Sequence, residues 1–292
     1  MNIQKSFTKH EGQGTLYIVP TPIGNLEDMT FRAVSILKEA DTIAAEDTRN
    51  TKKLLNHFEI STPLTSYHEH NKYTKGPQLL GQINEGQTIA VVSDAGMPGI
   101  SDPGADLVKE AIEQELSVVV LPGCNAALPA LVGSGLSTDQ FYFYGFLPRK
   151  KKERQAVLEA LNNQRSTIIF YESPHRLKEM LSHLYAQFGN RQITLARELT
   201  KRYEEYVRGS LEEVIQWTSE GEVRGEFCVI VEGAQEEEET AGQIWWGHLS
   251  IKEHVEYYIS HQQMPPKEAI KQTSVDRNMK KRDVYQAFHV ES

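Results

Sequence analysis

Cysteine is scarce: the 292 residues contain only Cys124 and Cys228. Two thiols cannot staple a chain this long or complete a zinc site by themselves, which excludes a disulfide-framed secreted domain and a Cys-based metal fold. A reducing, cytoplasmic setting is expected. Positive charge is in deficit, with 31 Lys and Arg against 40 Asp and Glu and a formal net charge of −9. A surface that grips polyanions as a whole is thereby excluded, and nucleic-acid contact would have to come from local basic patches. No apolar run reaches the ~20 residues of a membrane-spanning helix. Met1–Gly14 has scattered charges and no apolar core, so neither a signal peptide nor an anchor is expected there. Neither G-x-G-x-x-G nor G-x-x-x-x-G-K-[ST] follows a strand-like segment, which disfavours a pyrophosphate cradle.

What is present is the patterning of a soluble globular chain, 39% hydrophobic and 24% charged. Its length favours two domains over one core. Apolar runs at Leu16–Val19, Thr42–Ala45, Ile89–Ser93 and Val118–Leu121 alternate with amphipathic stretches. Helix starts are predicted at Asp28, before Met29–Ala40, and at Asp102-Pro103, before Gly104–Glu115. This is the pattern of a largely parallel sheet covered by helices. A second series follows at Phe141–Phe146, Thr167–Tyr171, Ile193–Ala196, Tyr203–Val207 and Phe227–Val231. Ser173-Pro174 reads as a helix start, and Ser210 with Glu213 as a capping box before Leu211–Thr218. The expected organisation is α/β: a tail (1–13), an N-terminal α/β domain (14–134) and a second α/β domain (135–234). An acidic linker (235–243) then leads to a small helical unit (244–292). The unit's segments Ile251–Gln262, Pro266–Ser274 and Lys280–His289 are compatible with a helix-turn-helix.

Three loops stand at the carboxyl ends of predicted strands, where open parallel sheets bind ligands: Pro20–Asn25, Ser93–Gly104 and Leu121–Ala127. Each alone could be a plain turn, but together they favour a shared pocket. With Phe170–Arg176 and Ala196–Lys201, these strings resemble the tetrapyrrole-methylase fold and, within it, the branch that methylates small-subunit ribosomal RNA. The first loop departs from the G-x-G-P-G-D form of the corrin-precursor enzymes, which disfavours that branch. The resemblance covers about 14–233 and implies S-adenosylmethionine as methyl donor, held by Pro22, Ser93, Asp94, Gly99, Ile100, Asn125, Ala126 and, from the second domain, Glu172. It further implies 2′-O-methylation of a decoding-site cytidine, with small-subunit rRNA or the assembled subunit as partner, and a homodimer. The donor carries no phosphate, so a lysine-bearing phosphate loop would be superfluous, and a lysine near its sulfonium would be repelled.

Deprotonating a ribose hydroxyl invites a positioned base. Glu46, Asp47, Arg197, Glu198 and Lys201 are the candidates. Helix initiation is the alternative role for the Glu46-Asp47 pair, and a structural ion pair for Arg197 and Glu198. Arg197 or Lys201 could instead lower the hydroxyl's pKa. His68-Glu69-His70 lacks the spacing of a helical metal site, so no metal is expected. Arg149, Lys150, Lys151, Lys152 and Arg154 form a basic run, and Lys280, Lys281 and Arg282 a second one. Both are candidate RNA contacts, with a solvated helix face as the alternative for the first. A DNA-binding regulator with a ligand-sensing body is the rival reading, and it leaves the Arg197–Lys201 string unexplained.

Overall fold

The computed structural model describes residues 3–6, 12–235 and 246–290. Most of the predicted tail and all of the acidic linker after Gln235 lie outside the described residues. Residues 1–234 form one compact unit and 235–292 another.

The first unit opens with β1 (Thr15–Ile18), α1 (Phe31–Glu39), β2 (Thr42–Ala45), α2 (Thr48–His57), β3 (Leu64–Ser66), α3 (Lys72–Asn84), β4 (Ile89–Val92), α4 (Ala105–Glu113) and β5 (Ser117–Val120). The five strands are all parallel, in the order β3-β2-β4-β1-β5. Strand β4 is buried at every position, as a central strand covered on both faces must be. Strand β3 is absent from the expected series: three residues are too few to show a period. Helix α1 starts later than Asp28 because Leu26–Asp28 closes a separate 3-10 turn, capped by the Asn25 side chain. Thr30 then caps α1 by accepting from the Ala33 amide.

There follow α5 (Ala127–Ser134), β6 (Phe141–Phe146), α6 (Lys151–Leu161), β7 (Thr167–Glu172), α7 (Pro174–Phe188), β8 (Gln192–Arg197), β9 (Glu205–Ser210), α8 (Leu211–Glu220) and β10 (Phe227–Val231). This second sheet is mixed, in the order β6-β7-β10-β8-β9; of its neighbouring pairs β6-β7 is parallel and the other three are antiparallel. Helices α6, α7 and α8 bury Leu158, Leu184 and Val214 on one face. Helix α5 covers the other, setting Ala127, Ala130 and Leu131 against Ile169, Ala196, Cys228 and Ile230. Strand β9 begins two residues later than expected because 199–204 form a turn in which Thr200 has positive φ and its amide donates to Glu204.

The C-terminal unit packs α9 (Ile251–Ser260), α10 (Pro266–Asp276) and α11 (Lys281–Val290) around Val255, Tyr258, Ala269, Ile270 and Val284. His254 is fully buried there, accepting from Arg277 at Nδ1 (3.1 Å) with its Nε2 3.3 Å from the Asp276 carboxylate. The neutral tautomer with its proton on Nε2 suits both partners. Burial, and then Arg277, hold its pKa below the ordinary histidine value.

The capping box expected before α8 is formed, Ser210 accepting from the Glu213 amide while Glu213 accepts from the Ser210 amide. Ser210→Ala is expected to lower stability by about 1 kcal/mol, and Ser210→Asp by less. Urea unfolding followed by circular dichroism measures both, and an Ala variant as stable as wild type would contradict the role given to the cap.

Candidate active site

Because β1 lies between β4 and β5, the loops that leave these three strands emerge side by side at one sheet edge. They are bonded to one another. The Thr21 amide donates to Gly96 O (2.9 Å), the Gly96 amide to Thr21 O (2.8 Å), and the Thr21 hydroxyl to Ser93 O (3.0 Å). Gly96, at φ +82, supplies a backbone conformation that a side chain would strain. Asp94 accepts from the Asp47 amide and the Asn50 side chain. In the third loop Asn125 caps the start of α5 by accepting from the Leu128 amide.

Between these loops and the ends of β6, β7, β8 and β10 lies a cavity of about 570 Å3. Asp94, Ile100, Asn125, Ala126 and Glu172 of the expected donor-binding set line it. Pro22 and Ser93 do not: with Asp94 they border a neighbouring recess of about 260 Å3, and Ile23 takes the place at the cavity expected of Pro22. Gly99 lines neither space. At φ +82 its amide donates to Pro103 O and closes the turn that carries Ile100.

The expected catalytic set divides. Glu46, Glu198 and Lys201 line the cavity, whereas Asp47 and Arg197 are absent from its walls. Asp47 is the N-cap of α2 and binds Arg49, whose guanidinium holds its carboxyl well below the ordinary range. Arg197 donates to Arg224 O (2.7 Å) and Glu205 (3.1 Å), a structural role at the end of β8. Burial works to raise the Glu198 pKa, but the Glu226 amide and Lys201 ammonium outweigh it and keep the group ionised. For Lys201 burial works downward, and Glu226 and Glu198 prevail to hold it charged. A permanently charged lysine is a poor proton acceptor.

Two carboxyls have the opposite character. Burial, then the Asp94 charge, raise the pKa of Glu46. Burial and then Glu46 push Asp102 up to about 6. In the sequence Asp102 shows only helix-start chemistry; its Asp-Pro context hides a cavity residue. Glu172 is buried, with Oε1 accepting from the Ser173 amide and Oε2 3.4 Å from the Arg176 guanidinium. Burial raises its pKa against these two partners.

The basic runs differ in availability. Arg149, Lys150, Lys151 and Lys152 are exposed at the start of α6, with Lys150 paired to Glu153. Arg154 corrects the expectation: it is buried and bonded to Glu179 at 2.5 Å, so its guanidinium is committed inside the fold. Lys280, Lys281 and Arg282 are exposed at the start of α11 in the separate C-terminal unit.

Residues 15–215 match the tetrapyrrole (corrin/porphyrin) methylases. Over 291 residues the chain is 55% identical to ribosomal RNA small subunit methyltransferase I of Halalkalibacterium halodurans, spanning 100% of both. The chain belongs to this methyltransferase I family. Its Bacillus subtilis relative of the same name is 56% identical, with 98% of each chain covered. The fold is shared with uroporphyrin III C-methyltransferase of Thermus thermophilus at TM-score 0.53 and 20% identity, across 75% of this chain and 97% of that one. This methylase therefore draws its methyl group from S-adenosylmethionine. The cavity fits that donor. Among the described residues that line it, the carboxylates Glu46, Asp94, Asp102, Glu172, Glu198 and Glu226 face one cation, Lys201. That balance suits a ligand bearing a sulfonium and an ammonium and no phosphate.

Asp102 titrates near 6 in the fold against 3.8 unfolded, so its contribution to stability is full below about pH 3.8 and lost as pH rises through about 6. Asp102→Asn removes that loss. Its melting temperature is expected to exceed wild type at pH 8, the advantage shrinking as the pH falls below 6. A difference in melting temperature that is constant from acid to alkaline pH would contradict the shifted carboxyl.

Proposed function

We propose that this methylase transfers the methyl group of S-adenosylmethionine to the ribose 2′-hydroxyl of a decoding-site cytidine in small-subunit ribosomal RNA. The observation that carries this reading is the combination of a carboxylate-lined cavity with exposed cations outside it. The walls suit a cationic donor, and the Arg149–Lys152 run suits the phosphates of the acceptor. The full-length likeness to enzymes named for small-subunit ribosomal RNA supports the acceptor class.

The donor supplies an activated methyl on a sulfonium. Of the chain's own groups, Asp94, Ile100, Asn125, Ala126 and Glu172 hold the donor. Pro22, Ser93 and Gly99 act by shaping the loops. The hydroxyl proton passes to Glu46 or Asp102, whose raised pKa values bring them nearer the working pH than an ordinary carboxyl. Lys201, held positive by two carboxylates, stabilises negative charge developing on the hydroxyl oxygen. The Lys280–Arg282 cluster of the C-terminal unit provides a second phosphate contact.

The enzyme acts in the cytoplasm as a homodimer in this reading. Exposed apolar side chains such as Val132 on α5 and Phe141 and Tyr142 on the edge strand β6 support self-association. No helix among the described residues is long and apolar enough to cross a membrane.

Mapping ribose methylation in small-subunit rRNA from cells with and without the protein tests the assignment. One decoding-site 2′-O-methyl mark is expected to disappear, and an unchanged map would refute it. Replacing Arg149, Lys151 and Lys152 by Ala is expected to raise KM for the subunit and flatten its salt dependence, by roughly 0.7 in log–log slope for every phosphate that is no longer neutralised. Donor affinity by calorimetry should be unaltered, and an unchanged salt slope would remove the run from the interface.

A further inference from the structure

Strand β6 contains an irregularity that bears on how the acceptor is held. Its pairing with β7 runs Phe143 to Ile169 and then Gly145 to Phe170 and Phe146 to Tyr171, so that Tyr144 is an extra residue in a bulge. Side chains of a regular strand alternate, and Phe143 and Phe146, three positions apart, would point to opposite faces. The bulge reverses the parity. Phe143 and Tyr171 pack on the sheet face covered by α5, and Phe146 is turned onto that face too, its ring 5.7 Å from Tyr171 in an edge-to-face arrangement. Bulges beside active sites commonly re-aim a side chain in this way.

The position of Gly145 makes the device specific. Its φ is +81, and a Cβ there would come within 2.9 Å of the Ser101 hydroxyl on the second cofactor loop. The bulged strand is therefore drawn against that loop, leaving Phe146 on the cavity wall with 52% of its surface still exposed. A large apolar ring held in place by Tyr171 yet half uncovered is a face awaiting a partner.

Chemistry around the ring indicates which partner. After Phe146 the chain runs through Leu147 and Pro148 into Arg149, Lys150, Lys151 and Lys152, all four exposed. The cavity behind is lined by carboxylates. A polynucleotide backbone is repelled by those carboxylates and drawn to the cations, so it stays at the rim while an uncharged base and ribose enter. An aromatic face beside cations is the arrangement by which proteins hold unstacked nucleotides. On the functional reading above, we propose that Phe146 is the stacking platform for the nucleobase of the acceptor nucleotide, and that the bulge at Tyr144-Gly145 exists to present it.

Steady-state methylation of purified small ribosomal subunits by wild type, Phe146→Ala and Phe146→Tyr tests this, alongside calorimetric affinity for S-adenosylmethionine and a thermal melt. F146A is expected to raise KM for the subunit by about five- to hundredfold, the loss typical of one stacked base. Donor affinity and melting temperature stay at wild-type values, and F146Y, which keeps the ring, restores KM. An F146A enzyme with wild-type KM would overturn the proposal. So would a defect that appears as weakened donor affinity, since Phe146 would then wall the donor. If the wild-type enzyme methylates no ribose of the subunit, the functional reading itself has failed, a result seen before any Phe146 variant is made.

Discussion

The cleft depends on two backbone hydrogen bonds between Thr21 and Gly96. They join the loop after β1 to the loop after β4, and each uses groups that would otherwise need water. Loops rich in proline and glycine have few ways to fix their own shape, since proline contributes no amide and glycine no side chain. Here each loop fixes the other. The Thr21 hydroxyl adds a bond to Ser93, and Asp94 is tied across to Asp47 and Asn50, so the first half of the wall is set before any ligand arrives. This is preorganisation, in which ordering is completed on folding and does not have to be supplied by binding energy.

The second half of the wall is brought up by α5. Its entry loop belongs to the edge of the first sheet, while its buried side chains belong to the core of the second. Tyr206 supports this joint by approaching Gly133, where a side chain on the helix would collide with the ring. A helix shared in this way makes the cleft a property of the chain as a whole, and it explains why residues from β7, β8 and β10 face loops from β1, β4 and β5.

Much of this was legible in the sequence because burial on both faces writes long apolar runs, and because proline, glycine and serine mark the ends of strands and helices. The five strings that carry the family resemblance all lie at or beside the cleft. Other features were hidden for physical reasons. Strand β3 is too short to carry a period. Asp47 and Glu46 are neighbours in sequence, and only the backbone at the start of α2 decides that one caps the helix while the other faces the cavity. Arg154 continues a run of exposed cations, yet helical geometry turns it inward to Glu179. The bulge in β6 had a visible sign, a glycine inside an aromatic strand, but which residue it re-aims depends on the pairing with β7.

The order of strands in the second sheet has a consequence for biosynthesis. Strand β10 is the last to be made, yet it occupies the centre of the sheet, between β7 and β8. Until Val231 has left the ribosome there is no bridge between the two halves of that sheet, and the apolar face of α5 has only part of its cover. At about 5–20 residues per second, the interval between the synthesis of α5 and of β10 is on the order of 5–20 s. A nascent chain thus exposes a sticky helix for far longer than a small domain takes to collapse. Chains that terminate early, before β10, keep the β6-β7 and β8-β9 pairs as two unjoined ribbons, with the strand that should lie between them missing and α5 only partly covered.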